Sequence, residues 1–122
     1  MPSGRRGGSR SAETAFAGVV VLSLVVLFAP AGDVPAAPPG VDKVVHAALF
    51  LALAATGRWA SLRTGLLGPA LVAYAAGSEV LQGLPAIGRT SSVADWLADV
   101  VGVLVGVLAW DLLARRSSSP QR

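Results

Sequence analysis

Four apolar segments constrain this chain more than any other feature of its sequence. The first covers about residues 12–30 and is interrupted only by Glu13 near its start. The other three cover about residues 41–58, 64–84 and 93–114. Because a helix of about 20 apolar residues crosses the hydrocarbon core of a bilayer, the pattern predicts an all-α fold, an integral membrane four-helix bundle.

The composition agrees with a membrane protein. Of the 122 residues, 53% are hydrophobic and only 14% are charged, whereas charged residues make up about 25% of an ordinary soluble domain. The net charge of +3 does not indicate a nucleic-acid partner, because the basic residues lie mostly in the tails and one connector rather than on a face shared with aromatic side chains. The chain has no cysteine, which excludes disulfides and thiolate metal sites. We therefore expect the lipid bilayer, and no nucleic acid, as a partner.

The apolar segments form one predicted domain, residues 12–114. Residues 1–11 and 115–122 are predicted to be disordered basic tails, because Gly, Ser and Arg bury too little apolar surface to become ordered. The second segment is short for a span, but Lys43 and Arg58 at its ends can extend their charged groups to the membrane surfaces. For the first segment, a cleaved signal peptide is the alternative interpretation, since basic residues precede it and Ala and Pro follow it.

The basic residues indicate the orientation of the four spans. The amino tail, the connector between the second and third spans and the carboxyl tail hold eight of them: Arg5, Arg6, Arg10, Arg58, Arg63, Arg115, Arg116 and Arg122. The opposite side holds only Lys43 and Arg89. Because cytoplasmic loops are enriched in Lys and Arg, both termini are predicted to be cytoplasmic.

This orientation brings nearly all polar side chains of the spans to the outer membrane face. They are Asp42, Lys43, His46, Glu79, Gln82, Arg89, Asp95 and Asp99. Ionisable groups in membrane spans are costly unless they face the bundle interior or water, so a functional site is the default interpretation. We predict that these eight residues form a binding cluster, with no assigned catalytic residue.

The fourth segment indicates which way the cluster faces. Helical spacing places four of its residues on one stripe: Asp95, Asp99, Gly102 and Gly106. Small residues allow close contact between membrane helices, so this stripe is predicted to face the bundle.

The predicted cluster carries an excess of negative charge. Its four carboxylates face two cationic side chains, which leaves two negative charges if His46 is neutral. The excess requires a protonated carboxyl group, a charged His46, or a cation or cationic ligand. The guanidinium of Arg89 is predicted to pair with Glu79 or Asp95.

The ordered polar residues resemble the VanZ-like family of small bacterial membrane proteins. The resemblance covers residues 41–106 and is carried by Asp42, Lys43, His46, Phe50, Glu79, Gln82, Arg89, Asp95 and Gly102. The family usually has Asn at the position of Asp99 and Pro at the position of Gly88. The resemblance implies a multi-pass protein of the bacterial cytoplasmic membrane. The founding member of the family is associated with resistance to the glycopeptide teicoplanin, so the implied ligand is a cell-envelope molecule or a glycopeptide.

Three other interpretations of the cluster stay open. A divalent metal held by His46 and carboxylates is less favoured than a histidine hydrogen-bonded to a neighbouring helix, so no metal or cofactor is assigned. A membrane-embedded enzyme could use Glu79 as a general base on an envelope substrate. Alternatively, the cluster could be a structural lock that only fixes how the helices pack.

Overall fold

The computed structural model describes residues 3–29, 40–86, 88 and 92–118, which are helical apart from the short connections. The four helices are α1 (Ser3–Phe28), α2 (Val41–Trp59), α3 (Thr64–Gln82) and α4 (Val93–Ser118). The prediction of an all-α fold with four helices is confirmed.

Three helices of the described chain are long and apolar enough to cross a membrane: Arg10–Phe28, Thr64–Gln82 and Val93–Arg116. Helix α2 is not among them, because charged residues near both of its ends shorten its apolar body. Exposed Leu and Val side chains cover the outside of the bundle; Leu104 and Leu108, for example, are 56% and 60% exposed. Such a surface is suited to contact with lipid chains, and these features indicate a membrane protein.

The helices extend further than predicted at two ends. Helix α1 begins at Ser3, so the predicted disordered tail at residues 1–11 is largely helical. Helix α4 continues to Ser118 instead of residue 114, and residues 119–122 lie outside the described chain. Once a first turn exists, each added residue gains a backbone hydrogen bond, so a helix can extend beyond its apolar segment. The other boundaries agree with the prediction within two residues.

Helix α2 lies at the centre of the bundle and packs on the other three helices. Its most extensive interface is with α4, whereas α1 and α4 make no contact within the described chain. Helices α2 and α4 run parallel, since His46 contacts Asp99 near their starts and Arg58 contacts Asp111 near their ends. Both contacts join residues 53 positions apart. The two helices therefore keep one register along their whole interface.

Two glycines of α4 make this close interface possible. Gly102 and Gly106 are buried, and a Cβ atom at Gly102 would collide with the backbone carbonyl of Ala47. A Cβ atom at Gly106 would lie 2.5 Å from the carbonyl oxygen of Leu51. The predicted inward orientation of the glycine stripe is confirmed.

The apolar core lies between two polar ends of the bundle. Leu27, Phe50 and Leu53 are fully buried in it, and the rings of Phe50 and Tyr74 lie with their centroids 5.6 Å apart. Because the core joins all four helices, it fixes the relative positions of the helix ends that carry the polar residues.

Candidate functional site

One end of the bundle, here called the polar end, gathers ionisable side chains from three helices. The start of α2 contributes Asp42, Lys43 and His46, the end of α3 contributes Glu79, and the start of α4 contributes Asp95 and Asp99. These six residues belong to the predicted cluster. The structure therefore brings most of that cluster together at one end of the bundle.

His46 and Asp99 form the deepest contact of the polar end. The Nδ1 atom of His46 lies 2.8 Å from Oδ1 of Asp99, which is hydrogen-bonding distance. His46 is 2% exposed and Asp99 is 0% exposed. The contact joins α2 to α4, and with a carboxylate as acceptor the imidazole Nδ1–H is the donor.

Glu79 approaches the same imidazole from α3. Its Oε2 atom accepts a hydrogen bond of 3.0 Å from the backbone N–H of Ser92. Its Oε1 atom lies 3.8 Å from Nδ1 of His46 and has no hydrogen-bond partner among the described residues. The bond from Ser92 therefore fixes one carboxylate oxygen and directs the other toward the histidine.

His46, Glu79 and Asp99 are called here the inner triad. One nitrogen or oxygen atom from each lies within 4.8 Å of the others. Within the described chain, Oε1 of Glu79 and Oδ2 of Asp99 are both buried without a hydrogen-bond partner. With a neutral imidazole, the two carboxylates leave the triad with two negative charges. The triad can thus bind a cation, accept a proton, or receive hydrogen bonds from a ligand.

A second set of charges lies closer to solvent. The Nζ atom of Lys43 lies 3.2 Å from Oδ1 of Asp95 and 3.9 Å from Oδ2 of Asp42. The side chains of Lys43 and Asp42 are about half exposed, whereas that of Asp95 is 10% exposed. These residues form a rim around the inner triad, and Lys43 is the only cation that the described chain contributes to the polar end.

Ser92 forms hydrogen bonds with one residue of the inner triad and one residue of the rim. Its Oγ atom accepts a 2.9 Å hydrogen bond from the backbone N–H of Asp95, which makes it the N-cap of α4. Since the N–H of Ser92 also binds Glu79, this one residue couples the end of α3 to the start of α4.

Two residues of the predicted cluster are not among these six, Gln82 and Arg89. The Nε2 atom of Gln82 donates a 2.7 Å hydrogen bond to the carbonyl of Leu27, so Gln82 joins α3 to α1. Arg89 lies outside the described residues, and its pairing with Glu79 or Asp95 stays a prediction.

The sequence analysis missed the charged pair at the other end of the bundle. Nε and Nη2 of Arg58 donate hydrogen bonds of 3.1 and 3.0 Å to Oδ1 of Asp111. Its Nη1 also donates to the carbonyl of Leu62. The sequence held a signal for this pair: an acidic residue near the end of the fourth apolar segment and a basic residue at the end of the second.

Comparison of the chain with known proteins gives no match to a protein-family model, to a curated protein or to a solved structure. The functional interpretation therefore depends on the geometry of the polar end and on the sequence pattern.

Proposed function

We propose that the chain is a multi-pass protein of the bacterial cytoplasmic membrane whose polar end binds a cell-envelope ligand. The ligand class that we favour is a cell-wall precursor or a glycopeptide, with an effect on resistance to teicoplanin. The pattern of residues from Asp42 to Gly102, which resembles the VanZ-like family, supports this assignment.

One observation carries the proposal: the buried inner triad keeps two carboxylate oxygens without a hydrogen-bond partner among the described residues. Burial of a polar atom without a partner costs about 1–3 kcal/mol, and an unpaired charge costs more. Packing alone gives no reason to keep two such atoms in contact range of a histidine. A ligand that supplies positive charge or hydrogen-bond donors accounts for them.

The distribution of basic residues supports an outward-facing polar end. Eight of the ten Lys and Arg residues lie near the start of α1, around the connection between α2 and α3, or near and beyond the end of α4. The positive-inside rule puts that side in the cytoplasm, and the polar end then faces the envelope. A ligand assembled or acting outside the membrane could therefore reach the inner triad without crossing the bilayer.

A structural lock is the second candidate function, and the buried hydrogen bond between His46 and Asp99 favours it. This bond joins the two helices that share the most extensive interface. A polar contact of this kind can fix helix packing. A lock predicts that loss of the bond lowers the amount of folded protein, whereas a ligand site predicts loss of function at normal abundance.

The test is a set of conservative variants expressed in a teicoplanin-susceptible host lacking its own copy of the gene. Asp99→Asn and Glu79→Gln keep the size of the side chain and remove its charge, whereas Arg89→Lys keeps the charge and removes the forked guanidinium donors. We expect each variant to reduce teicoplanin resistance to near the level of the empty vector. Membrane abundance, measured on immunoblots of washed membranes, is expected to stay near that of the wild type.

Asp111→Asn is the matched control, because it neutralises a carboxylate at the opposite end of the same helix interface. For this variant, the ratio of resistance to protein abundance is expected to equal that of the wild type. The proposal is overturned if cells with the wild-type chain are no more resistant than cells with the empty vector. It is also overturned if the variants lose resistance only to the extent that they lose membrane abundance.

A further inference from the structure

We infer that the inner triad binds a divalent transition-metal ion of the Zn²⁺ type through Nδ1 of His46 and the carboxylates of Glu79 and Asp99. The ion replaces the Nδ1 proton that Asp99 accepts in the metal-free protein, so the metal-bound neutral imidazole carries its proton on Nε2. The inference rests on the proposed ligand-binding role of the polar end and names the cation that this site takes. It also reverses the preference of the sequence analysis, which favoured a hydrogen-bonded histidine without a metal.

The donor atoms select the type of metal. An imidazole nitrogen with two carboxylate groups is a ligand set that suits zinc and related first-row ions. Mg²⁺ and Ca²⁺ prefer sites made only of oxygen ligands. The chain has no cysteine, so thiolate sites for softer ions are excluded. The triad should therefore prefer Zn²⁺ strongly over Mg²⁺.

The charge of the inner triad matches a divalent ion. Glu79 and Asp99 together carry two negative charges when ionised, and a neutral His46 adds none. A bound divalent ion would bring the triad to neutrality and would pair the free oxygens of both carboxylates. Lys43, the cation of the rim, is already engaged by Asp95 at 3.2 Å, so it does not neutralise the triad directly.

The distances require only small side-chain movements, which widen the contact of His46 with Asp99 and shorten the contact with Glu79. Nδ1 of His46 lies 2.8 Å from Oδ1 of Asp99 and 3.8 Å from Oε1 of Glu79. At Zn–N and Zn–O bond lengths of about 2.0–2.2 Å, tetrahedral ligand atoms lie about 3.3–3.6 Å apart. Since all three donor atoms lie within 4.8 Å of one another, side-chain shifts of about 1 Å bring them to a common ion.

The surroundings of the triad hold its ligands in place. The backbone N–H of Ser92 binds the second oxygen of Glu79, as groups around metal sites commonly orient a carboxylate ligand. The close approach of Gly102 to the backbone of Ala47 keeps α4 against α2 one turn beyond Asp99. Three protein ligands leave a fourth position of the ion open to water or to an oxygen atom of an envelope ligand.

The experiment measures metal binding by the full-length protein in detergent after treatment with a chelator and its removal. We expect about one Zn²⁺ per chain by equilibrium dialysis with elemental analysis. Mg²⁺ in 100-fold excess should not displace it. Co²⁺ in place of Zn²⁺ should give a visible absorption band from the imidazole-bound ion, and His46→Ala should remove this band.

Asp99→Asn is the decisive variant, because its amide oxygen still accepts the hydrogen bond from His46 while one ligand charge is lost. We expect the affinity for Zn²⁺ to fall at least about tenfold in Asp99→Asn and in Glu79→Gln. Asp111→Asn, which changes a carboxylate at the opposite end of the α2–α4 interface, should leave the affinity within about twofold. Circular dichroism and size-exclusion chromatography show whether each variant is folded.

The metal inference is overturned if the wild type binds less than about 0.1 Zn²⁺ per chain. Binding that survives Asp99→Asn and Glu79→Gln unchanged would also overturn it. If these variants lose resistance but the wild type binds no metal, the ligand-binding function stands and the metal inference fails. If metal binds through the triad but the variants keep full resistance, the metal inference stands and the proposed function fails.

Discussion

At the scale of single residues, the carboxylates at the two ends of the bundle differ in how they are paired. Oδ1 of Asp111 receives two N–H groups from Arg58. Asp99 and Glu79 each leave one buried oxygen without a partner among the described residues. A paired carboxylate stabilises the fold, whereas a buried unpaired one lowers stability. The two ends therefore serve different purposes although both carry charged residues.

Asp111→Asn should lower stability because it removes the charge that holds Arg58. The side chains of Arg58 and Asp111 are 25% and 32% exposed, so water screens part of the interaction. We expect a loss of about 1 kcal/mol, measured by thermal unfolding in detergent. Asp42→Asn, a change at a half-exposed carboxylate, is the control and should change stability by less than about 0.5 kcal/mol. An Asp111→Asn protein as stable as the wild type would show that the pair contributes nothing.

The sequence was sufficient to predict that polar residues of α2, α3 and α4 share one end of the bundle, but not which atoms they bind. Asp99 and His46 were expected in one cluster, and they are in direct contact. Gln82 shares the helical face of Glu79 and was expected in the same cluster, yet it binds the carbonyl of Leu27 in α1. Helical spacing gives the direction of a side chain from its own helix, whereas the partner depends on the position of the next helix.

At the scale of helices, the parallel pair of α2 and α4 determines the geometry of the site. His46 and Asp99 meet at one end of this interface and Arg58 and Asp111 at the other, with the same separation in sequence. Such a constant register requires the two helix backbones to stay close. Gly102 allows this because it has no side chain to collide with the backbone of Ala47. A change in the spacing of these two helices should therefore move Asp99 away from His46.

Gly102→Ala tests this spacing. Its new Cβ atom would collide with the carbonyl of Ala47, so the two helices must separate. We expect a loss of stability of about 1–3 kcal/mol in thermal unfolding. Gly77→Ala is the matched control on α3, since nothing lies within 4 Å of its added Cβ atom, and it should be neutral or stabilising by up to about 1 kcal/mol. Equal effects of the two substitutions would contradict the close packing of α2 on α4.

Apolar segments predicted the number of helices and most of their boundaries. They failed at the start of α1 and the end of α4, where the helices extend into basic, Gly- and Ser-containing sequence. Hydrophobicity reports which part of a helix can be buried or can contact lipid, not where backbone hydrogen bonding stops. The predicted inward face of α4 was correct, because a stripe of two glycines and two acids favours contact with another helix over contact with lipid.

At the scale of the whole molecule, an even number of membrane spans predicts both termini on one side and the polar end on the other. This arrangement let the sequence predict that residues from α2, α3 and α4 share one end of the bundle. The same arrangement puts Arg58 and Asp111 at one end of the bundle, but their direct contact depends on the parallel register of α2 and α4.

Single cysteines can test the orientation, since the natural chain contains none. Ala86→Cys lies just beyond α3 on the side of the polar end, and Ser61→Cys lies in the connector between α2 and α3. In intact cells, a membrane-impermeant maleimide should label Ala86→Cys and should label Ser61→Cys only after permeabilisation. The reverse pattern would place the polar end in the cytoplasm and would exclude direct access from the envelope.

The stability of Glu79→Gln, measured without metal or ligand, tests most directly whether the polar end is a binding site or a packing lock. The amide can still accept the hydrogen bond from Ser92, and the substitution removes one of two negative charges from a buried cluster. A binding site that keeps unpaired charges for its ligand should become more stable, by about 1 kcal/mol in thermal unfolding with a chelator present. A loss of stability of about 1 kcal/mol or more would show that Glu79 holds the helices together, and would contradict the account.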